Sequence, residues 1–173
     1  MIKKIIKLIM YKTCSFKKRI ELLRKDWVII WDNCEIYRDV NFGSEPWLIE
    51  IGNNVRIVNG VTLTTHDGGM RVLTNMGKIP DNSGKFWKIK IGNNVHIGIN
   101  SIIMPGITIG DNVIIWAGSI VTKDIPSNSV AVWIPCKVIK SIEEYYDKNK
   151  DKVLCFENMN LKKIKETIKS FLW

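Results

Sequence analysis

The chain has 173 residues, of which 46% are hydrophobic and 25% are charged, a size and balance typical of one globular domain. A net charge of +9 is typical of nucleic-acid-binding proteins, but here the positive charges are concentrated near the ends of the chain. Residues 1–25 hold nine Lys or Arg and one acidic residue, whereas residues 26–136 hold eight and ten. A central body that is slightly acidic argues against a nucleic-acid surface.

The N-terminal stretch MIKKIIKLIM places aliphatic side chains at helical spacing, and we predict a basic amphipathic helical segment over residues 1–27. The apolar side comprises Ile2, Ile5, Ile6, Ile9 and Met10. The stretch is too short and too rich in lysine to span a bilayer, and no small-residue cleavage site follows it. We expect this helix either to pack on the body or to contact a membrane surface peripherally.

Aliphatic residues then recur with a period of six. Downstream, the lead positions are Ile91, Ile97, Ile103, Ile109, Ile115 and Val121, followed four residues later by Val95, Ser101, Ile107, Val113, Ser119 and Ile125. Upstream, the leads are Ile30, Ile36, Phe42, Ile51, Ile57 and Leu63, with Cys34 and Val40 in the second set. Neither a helical period of 3.6 nor plain strand alternation accounts for this spacing.

One short strand and one corner in every six residues do account for the period. Three such sides close a coil, and coils stack about 4.8 Å apart around an aliphatic interior. We therefore predict an all-β parallel β-helix of about four coils over residues 28–140, with GNN and GDN at corners and a helical tail over residues 141–173.

The register breaks once. Ile91 follows Leu63 by 28 residues, which is not a multiple of six, so residues 64–88 must be looped out of a coil. This loop contains His66, one of two histidines in the chain. The other, His96, stands between two interior residues, and we expect it to point outward at a flank or a subunit contact.

The four cysteines, Cys14, Cys34, Cys136 and Cys155, are widely spaced and include no C-x-x-C pair. We expect reduced thiols in a cytoplasmic protein. A chain with two histidines cannot supply the three histidine ligands of a carbonic-anhydrase-like metal site, so no metal is expected.

The sequence IGNNVHIGINSIIMPGITIGDNVIIWAGSIVTKDIPSNSVAVWIPCKVIK resembles the end of the hexapeptide-repeat acyltransferases. The segments GSEPWLIEIGNNVRI and THDGG narrow the resemblance to sugar O-acetyltransferases of bacterial surface-polysaccharide pathways, with maltose and galactoside acetyltransferases as more distant relatives. The resemblance covers about residues 28–142. It implies a left-handed β-helix, a homotrimer, and acetyl-coenzyme A as acyl donor.

By this resemblance His66 is the general base that withdraws the proton of an acceptor hydroxyl, a task that suits a group with an unperturbed pKa near 6.5. Its other ring nitrogen needs a partner, for which Glu45, Asp67 and Asp81 are candidates that no spacing rule separates. The oxyanion needs backbone N–H donors, for which Gly98, Ala117 and Gly118 are candidates. Acceptor contacts are expected from the loop, where Arg71, Lys78, Lys85, Phe86 and Trp87 lie.

The family pattern places coenzyme A along the late coils. The matching positions are Asn100, Ala117, Gly118, Ser119, Thr122, Lys123, Trp133 and Lys137. Two of the late-coil positions depart from the pattern, because Trp116 and Trp133 stand where relatives have glycine. We expect Trp133 to offer its ring to the adenine and Trp116 to narrow the thioester end; alternatively, both rings pack on residues 141–173.

Direct acetyl transfer to a sugar hydroxyl is the function that these residues favour. Two alternatives stay open at this point: an amine acceptor on the same fold, and a non-catalytic β-helix that binds a partner. The second alternative would leave the His66 loop without a purpose.

Overall fold

Short strands separated by corners make up most of the computed structural model, which describes residues 10–11 and 13–172. The strands are β1 (Ile29–Ile30), β2 (Glu35–Ile36), β3 (Ile49–Ile51), β4 (Arg56–Ile57), β5 (Thr62–Leu63), β6 (Ile89–Ile91), β7 (Val95–Ile97), β8 (Ile102–Ile103), β9 (Thr108–Ile109), β10 (Val113–Ile115), β11 (Ile120–Val121), β12 (Ser129–Val132) and β13 (Lys137–Ser141).

The strands stack in three sheets, β1-β3-β6-β9, β2-β4-β7-β10-β12-β13 and β5-β8-β11. The pairing is parallel except between β12 and β13, which close the second sheet as an antiparallel pair. Ile91 lies opposite Ile109 and Ile97 opposite Ile115, so the register advances by three hexads per coil, as the period predicts. The mostly parallel sheets and their register are those of a parallel β-helix.

The interior holds the residues that the hexads place there. The lead residues and the second set are all buried, including the upstream Cys34, Val40 and Phe42. Two interior positions are polar: the hydroxyls of Ser101 and Ser119 donate to the carbonyl of Trp116 at 3.1 and 2.8 Å. These bonds avoid the cost of about 1–3 kcal/mol that an unpaired buried hydroxyl would incur.

Asparagines form one corner of the stack. Asn94, Asn112 and Asn128 have φ values of 55°, 54° and 59°, in the left-handed region that asparagine tolerates. The Asn94 amide donates to Asn112 and the Asn112 amide to Asn128, both at 2.9 Å. Two residues before Asn94, a Cβ on Gly92 would stand 2.8 Å from the Gly110 carbonyl carbon, so the close approach of two coils requires glycine.

A helix covers the start of the first coil. Helix α1 (Phe16–Lys25) begins at Ser15, whose hydroxyl accepts from the Lys18 N–H, and buries Ile20 and Leu23 in the core. The Arg19 guanidinium is buried and donates to the carbonyls of Tyr11, Cys14 and Ile36. Of the apolar side predicted for residues 1–27, Met10 is exposed, while the four isoleucines lie outside the described residues.

The chain divides into two compact units, one ending at Ile142 and the other beginning at Glu143. The second unit holds most of α3 (Ile142–Asn149), a 3₁₀ turn at Lys150–Lys152, and α4 (Leu161–Leu172). A further 3₁₀ turn, Pro46–Leu48, precedes β3, and α2 (Met70–Asn75) lies inside the looped-out segment. Within the described ranges, no helix has the length and apolar character needed to span a membrane.

Candidate active site

The loop that carries His66 is closed at its neck by the chain itself. Trp87 N–H donates to the Thr65 carbonyl at 2.8 Å, and Asp67 N–H donates to the Lys85 carbonyl at 3.0 Å. Between these two bonds His66 and Phe86 form an antiparallel bridge. The outgoing and returning strands therefore hold the backbone of His66 rigidly, at the corner where β5 would otherwise lead directly into β6.

Glu45 holds the imidazole of His66. The Nδ1 atom of His66 lies 2.8 Å from Oε2 of Glu45, and the same oxygen accepts a hydrogen bond from the Thr65 hydroxyl at 2.7 Å. Thr65 is fully buried, and the side chains of Glu45 and His66 are 15% and 40% exposed. A carboxylate oxygen with two fixed donors has little rotational freedom, so the ring orientation is set by the fold.

The protonation of this pair follows from its hydrogen bonds. Burial raises the pKa of Glu45, but hydrogen bonds from Thr65, His66 and Ser44 outweigh burial, and the net pKa is lowered. An ionised carboxylate accepts hydrogen bonds and cannot donate, so Nδ1 of His66 carries the proton. In the neutral ring Nε2 is then unprotonated and is the atom available as a base.

The other two carboxylates considered for this task lie elsewhere. Asp67 turns its Oδ1 to the N–H of Gly69 at 2.8 Å, which makes it a turn residue of THDGG. Asp81 is exposed, and no hydrogen bond or ion pair joins it to His66 among the described residues. The structure therefore selects Glu45 from the three candidates that sequence spacing left open.

Two cavities share His66 as part of their walls. One, of about 310 Å³, is lined mostly by residues of the loop and includes Glu45, Arg71, Lys85 and Phe86 in its wall. The second, of about 490 Å³, follows the stacked corners after β5, β8 and β11 and is lined by Thr64, Trp87, Met104, Pro105 and Thr122 among others. A basic atom at the junction of two cavities can meet one reactant from each.

A larger cavity of about 560 Å³ lies away from this chemistry, between α1 and the corner after β1. Its Arg24 donates to the carbonyls of Ile30 and Trp31. Neither histidine lines this cavity, so we do not take it as the active site in spite of its larger volume.

Of the three N–H groups considered for the oxyanion, two are occupied. Gly98 donates to the Ile115 carbonyl and Gly118 to the Ile99 carbonyl, both at 2.8 Å. Ala117 N–H has no hydrogen-bond partner among the described residues, and Ala117 is exposed. Of the three candidates, Ala117 is therefore the one whose backbone N–H is available to a ligand. A Cβ on Gly98 would stand 2.4 Å from the Ala117 nitrogen, so glycine at position 98 is needed for this corner to form.

The predicted coenzyme residues fall on two different corners. Asn100, Ala117 and Gly118 lie between the second and third sheets, whereas Thr122 and Lys123 follow β11 at the corner that bears His66. Ser119 departs from the expectation. Its side chain is fully buried and its hydroxyl donates to the Trp116 carbonyl, while its own carbonyl accepts from the Ile102 N–H at 2.8 Å.

Trp133 and Lys137 flank the turn between β12 and β13. This turn is bound to β11, because Ile120 N–H donates to the Trp133 carbonyl at 3.2 Å and Cys136 N–H donates to the Ile120 carbonyl at 2.8 Å. Trp133 is 66% exposed and has a φ of 80°, a conformation that is costly for a bulky residue and free for glycine. Trp116 is 48% exposed.

His96 lies apart from the site on β7, opposite Arg56 and Ile114 and half buried. It lines neither of the cavities at His66. Burial lowers its pKa, and the nearby Arg56 charge lowers it further. Over the described part of the chain, no three His, Cys, Asp or Glu side chains gather as a metal site would require.

Comparison with known proteins adds to this geometry. The model of the bacterial transferase hexapeptide family (six repeats) matches residues 88–123. A galactoside O-acetyltransferase of Lactococcus lactis is 33% identical over 148 residues, which are 74% of this chain and 70% of that protein. The chain belongs to the hexapeptide-repeat transferase family.

Other matches fit this membership. Protein CapG of Staphylococcus aureus is 50% identical over 107 residues, and the chain spans 60% of its length, less than two thirds. A solved galactoside acetyltransferase in complex with coenzyme A superimposes with a TM-score of 0.58 at 30% identity, over 92% of this chain and 86% of that one. The known fold of this hexapeptide-repeat family is the left-handed β-helix that the sequence resemblance implied.

Proposed function

We propose that the protein moves the acetyl group of acetyl-coenzyme A directly to a hydroxyl of a sugar or surface-polysaccharide intermediate, with His66 as general base. The carrying observation is the hydrogen bond of 2.8 Å from His66 Nδ1 to Glu45 at the junction of two cavities. Membership in the family and the names of the relatives, galactoside O-acetyltransferases among them, support both the donor and a sugar acceptor.

The reaction follows from the protonation of the pair. The acceptor hydroxyl donates its proton to Nε2 of His66 while its oxygen attacks the thioester carbonyl carbon. The Glu45 carboxylate at Nδ1 stabilises the imidazolium that forms. The carbon–sulfur bond then breaks, and the imidazolium returns its proton to the leaving thiolate. The products are an acetyl ester and coenzyme A, and the base is regenerated.

The oxyanion donor that we propose, Ala117, and the base His66 lie at different corners of the same chain. Ala117 lies at the corner between the second and third sheets, whereas His66 projects from the corner between the third and the first. Successive corners of a three-sided coil point in different directions. A second copy whose Ala117 faces His66 would complete the site, and three copies around an axis would make three such sites. This arrangement supports a homotrimer of left-handed coils, about four per chain.

Coenzyme A is then held by residues of both copies. Asn100, Ala117 and Gly118 offer the edge for the pantetheine arm, and Thr122 and Lys123 approach from the copy that supplies His66. We propose Trp133, on the exposed turn after β12, for the adenine and Lys137, at the start of β13, for the phosphates. The cytoplasm is the compartment proposed, supported by four unpaired cysteines in the described chain.

A screen of glycosides and amino sugars for thiol release from acetyl-coenzyme A tests the proposal. Release that depends on a hydroxyl acceptor, with a product whose acetyl group is removed by hydroxylamine, supports O-acetylation. A product that resists hydroxylamine identifies an amide and an amine acceptor. A protein that binds no acetyl-coenzyme A and gains no thermal stability from it would be a non-catalytic module.

A further inference from the structure

The smaller cavity at His66 contains two cations, Arg71 and Lys85, and neither forms an ion pair with a carboxylate of the described chain, although Glu45 and Asp67 line the same cavity. Arg71 stands in α2 and Lys85 on the returning strand of the loop, and both line the cavity of about 310 Å³. The Arg71 side chain makes no hydrogen bond or ion pair with another described residue. Lys85 contacts the ring of Trp87, with Nζ 4.5 Å from the centroid, and pairs with no carboxylate in the described chain.

The carboxylates of the same cavity are already engaged. Glu45 accepts from Thr65 and from His66 through one oxygen, and Asp67 accepts from the Gly69 N–H. Two basic side chains on the strands do have acidic partners: Arg56 pairs with Glu35 at 3.1 Å and Lys90 with Glu50 at 3.8 Å. Arg71 and Lys85 differ from these residues in facing a cavity next to the base.

An exposed ring completes the cavity. Phe86 is 54% exposed and packs edge-on against His66, with ring centroids 6.2 Å apart. An aromatic face suits the apolar side of a sugar ring, while guanidinium and ammonium groups suit an anion, the guanidinium through two parallel hydrogen bonds. A volume of about 310 Å³ is at the lower end for small-ligand sites and fits one sugar unit with one charged substituent.

We propose that the acceptor is an acidic sugar, whose carboxylate or phosphate is bound by Arg71 and Lys85 while its hydroxyl faces His66. This inference rests on the proposed function and narrows its substrate class. A uronic acid and a sugar phosphate share the required chemistry, because both present oxygens in the planar or forked arrangement that arginine recognises. Arg71 and Lys85 would then determine which acceptor binds, and they would take no part in acetyl transfer itself.

Calorimetric binding to the full-length protein tests this independently of turnover. The probes are methyl galactoside, methyl galacturonoside and galactose 1-phosphate, with the corresponding glucose set. We expect the acidic members to bind at least about tenfold more tightly than the neutral ones, since one charge-assisted hydrogen bond is worth about that factor. The tighter of the two acidic members identifies carboxylate or phosphate as the natural group.

Variants test whether the preference for acidic over neutral sugars comes from the side chains of the cavity. Arg71→Gln and Lys85→Gln together should abolish the discrimination between acidic and neutral sugars. Each single variant, Arg71→Gln or Lys85→Gln, removes one positive charge and should weaken the discrimination, whereas Lys88→Gln removes one positive charge from an exposed residue outside the cavity and should preserve it. Equal binding of acidic and neutral probes, a preference that survives the double variant, or no binding of any acidic probe at millimolar concentration would each overturn the inference.

The failure of this inference and that of the proposed function are separable. Acetyl transfer to neutral sugars without any acidic preference would leave the proposed function intact and remove the charge requirement. Acidic sugars that bind through Arg71 and Lys85 but never accept an acetyl group would retain the site and overturn the transferase. Thiol release from acetyl-coenzyme A, measured on the same samples, distinguishes these outcomes.

Discussion

The hexad body and the loop of residues 64–88 are held in place in different ways. In the body each residue repeats a position on the coil before it, as when Ile97 lies between Ile57 and Ile115. In the loop His66 depends on one bridge at the neck and one carboxylate from a distant segment. Stability is therefore spread over many equivalent contacts, whereas the chemistry depends on a few specific ones. Substitutions should separate the two.

The largest effect is expected from the loop. His66→Ala should lower the turnover rate by about 10²–10⁴, because it removes the base while leaving the thioester site in place. Steady-state kinetics would measure the rate, and calorimetry with coenzyme A would show whether affinity is unchanged. Full activity in the variant would end the assignment of His66, and a loss of thermal stability would show that the residue also supports the fold.

The body should respond in the opposite way. Ile109→Ala empties a fully packed interior position and should lower the free energy of unfolding by about 2–5 kcal/mol. Thr108→Ala, on the exposed side of the same strand, is the matched control and should cost far less. Urea unfolding at one fixed protein concentration measures both. Similar losses for the two variants would contradict an interior made by the lead residues.

Glu45 tests the link between the regions, since it lies before β3 and acts in the loop. Glu45→Gln should lower the turnover rate by roughly 10- to 10³-fold, because the imidazolium loses its counter-charge and the ring loses its fixed tautomer. The KM for acetyl-coenzyme A should stay the same, and Glu45→Asp should recover part of the rate. A variant that only unfolds more readily, with normal turnover, would make Glu45 a structural residue.

Trp133 shows whether a departure from the family pattern in the body has a function. Trp133→Ala should weaken coenzyme A binding about 2- to 10-fold, which corresponds to one stacking interaction. Trp133→Gly should weaken binding equally and also raise the melting temperature, because glycine relieves the positive φ of 80°. Unchanged coenzyme affinity together with a lower melting temperature would instead indicate that the ring packs on the protein.

The smallest effect concerns His96 and pH. Its folded pKa is lowered by burial and by Arg56, so the unfolded chain takes up a proton near pH 6.5 that the folded protein does not. Above that pH the contribution vanishes, and stability should decline as the pH falls below 6.5. Urea unfolding at pH 7.5 and 5.5 should show a smaller decline in His96→Gln than in the wild type. Equal declines would show that other groups cause the acid sensitivity.

The period of six was enough to predict which side chains fill the interior. Each of them repeats the position of the residues six and eighteen places away in the sequence. The sequence also placed His66 outside the coils, since residues that break the register cannot fill it. It could not choose among Glu45, Asp67 and Asp81. The choice depended on where a side chain 21 residues upstream returns to the loop, and no local pattern encodes that distance.

Tertiary structure also determines which backbone N–H groups remain available to a ligand. Gly98, Ala117 and Gly118 look alike as small corner residues, but two of their N–H groups are consumed by bonds between coils, which exist only after stacking. Arg71 and Lys85 are another example, because these two cations face one cavity only after α2 and the returning strand have enclosed it. The β-helix body could be predicted from the sequence because its hexads repeat. Its site is made of single, non-repeated contacts between distant segments, and those are set by the tertiary structure.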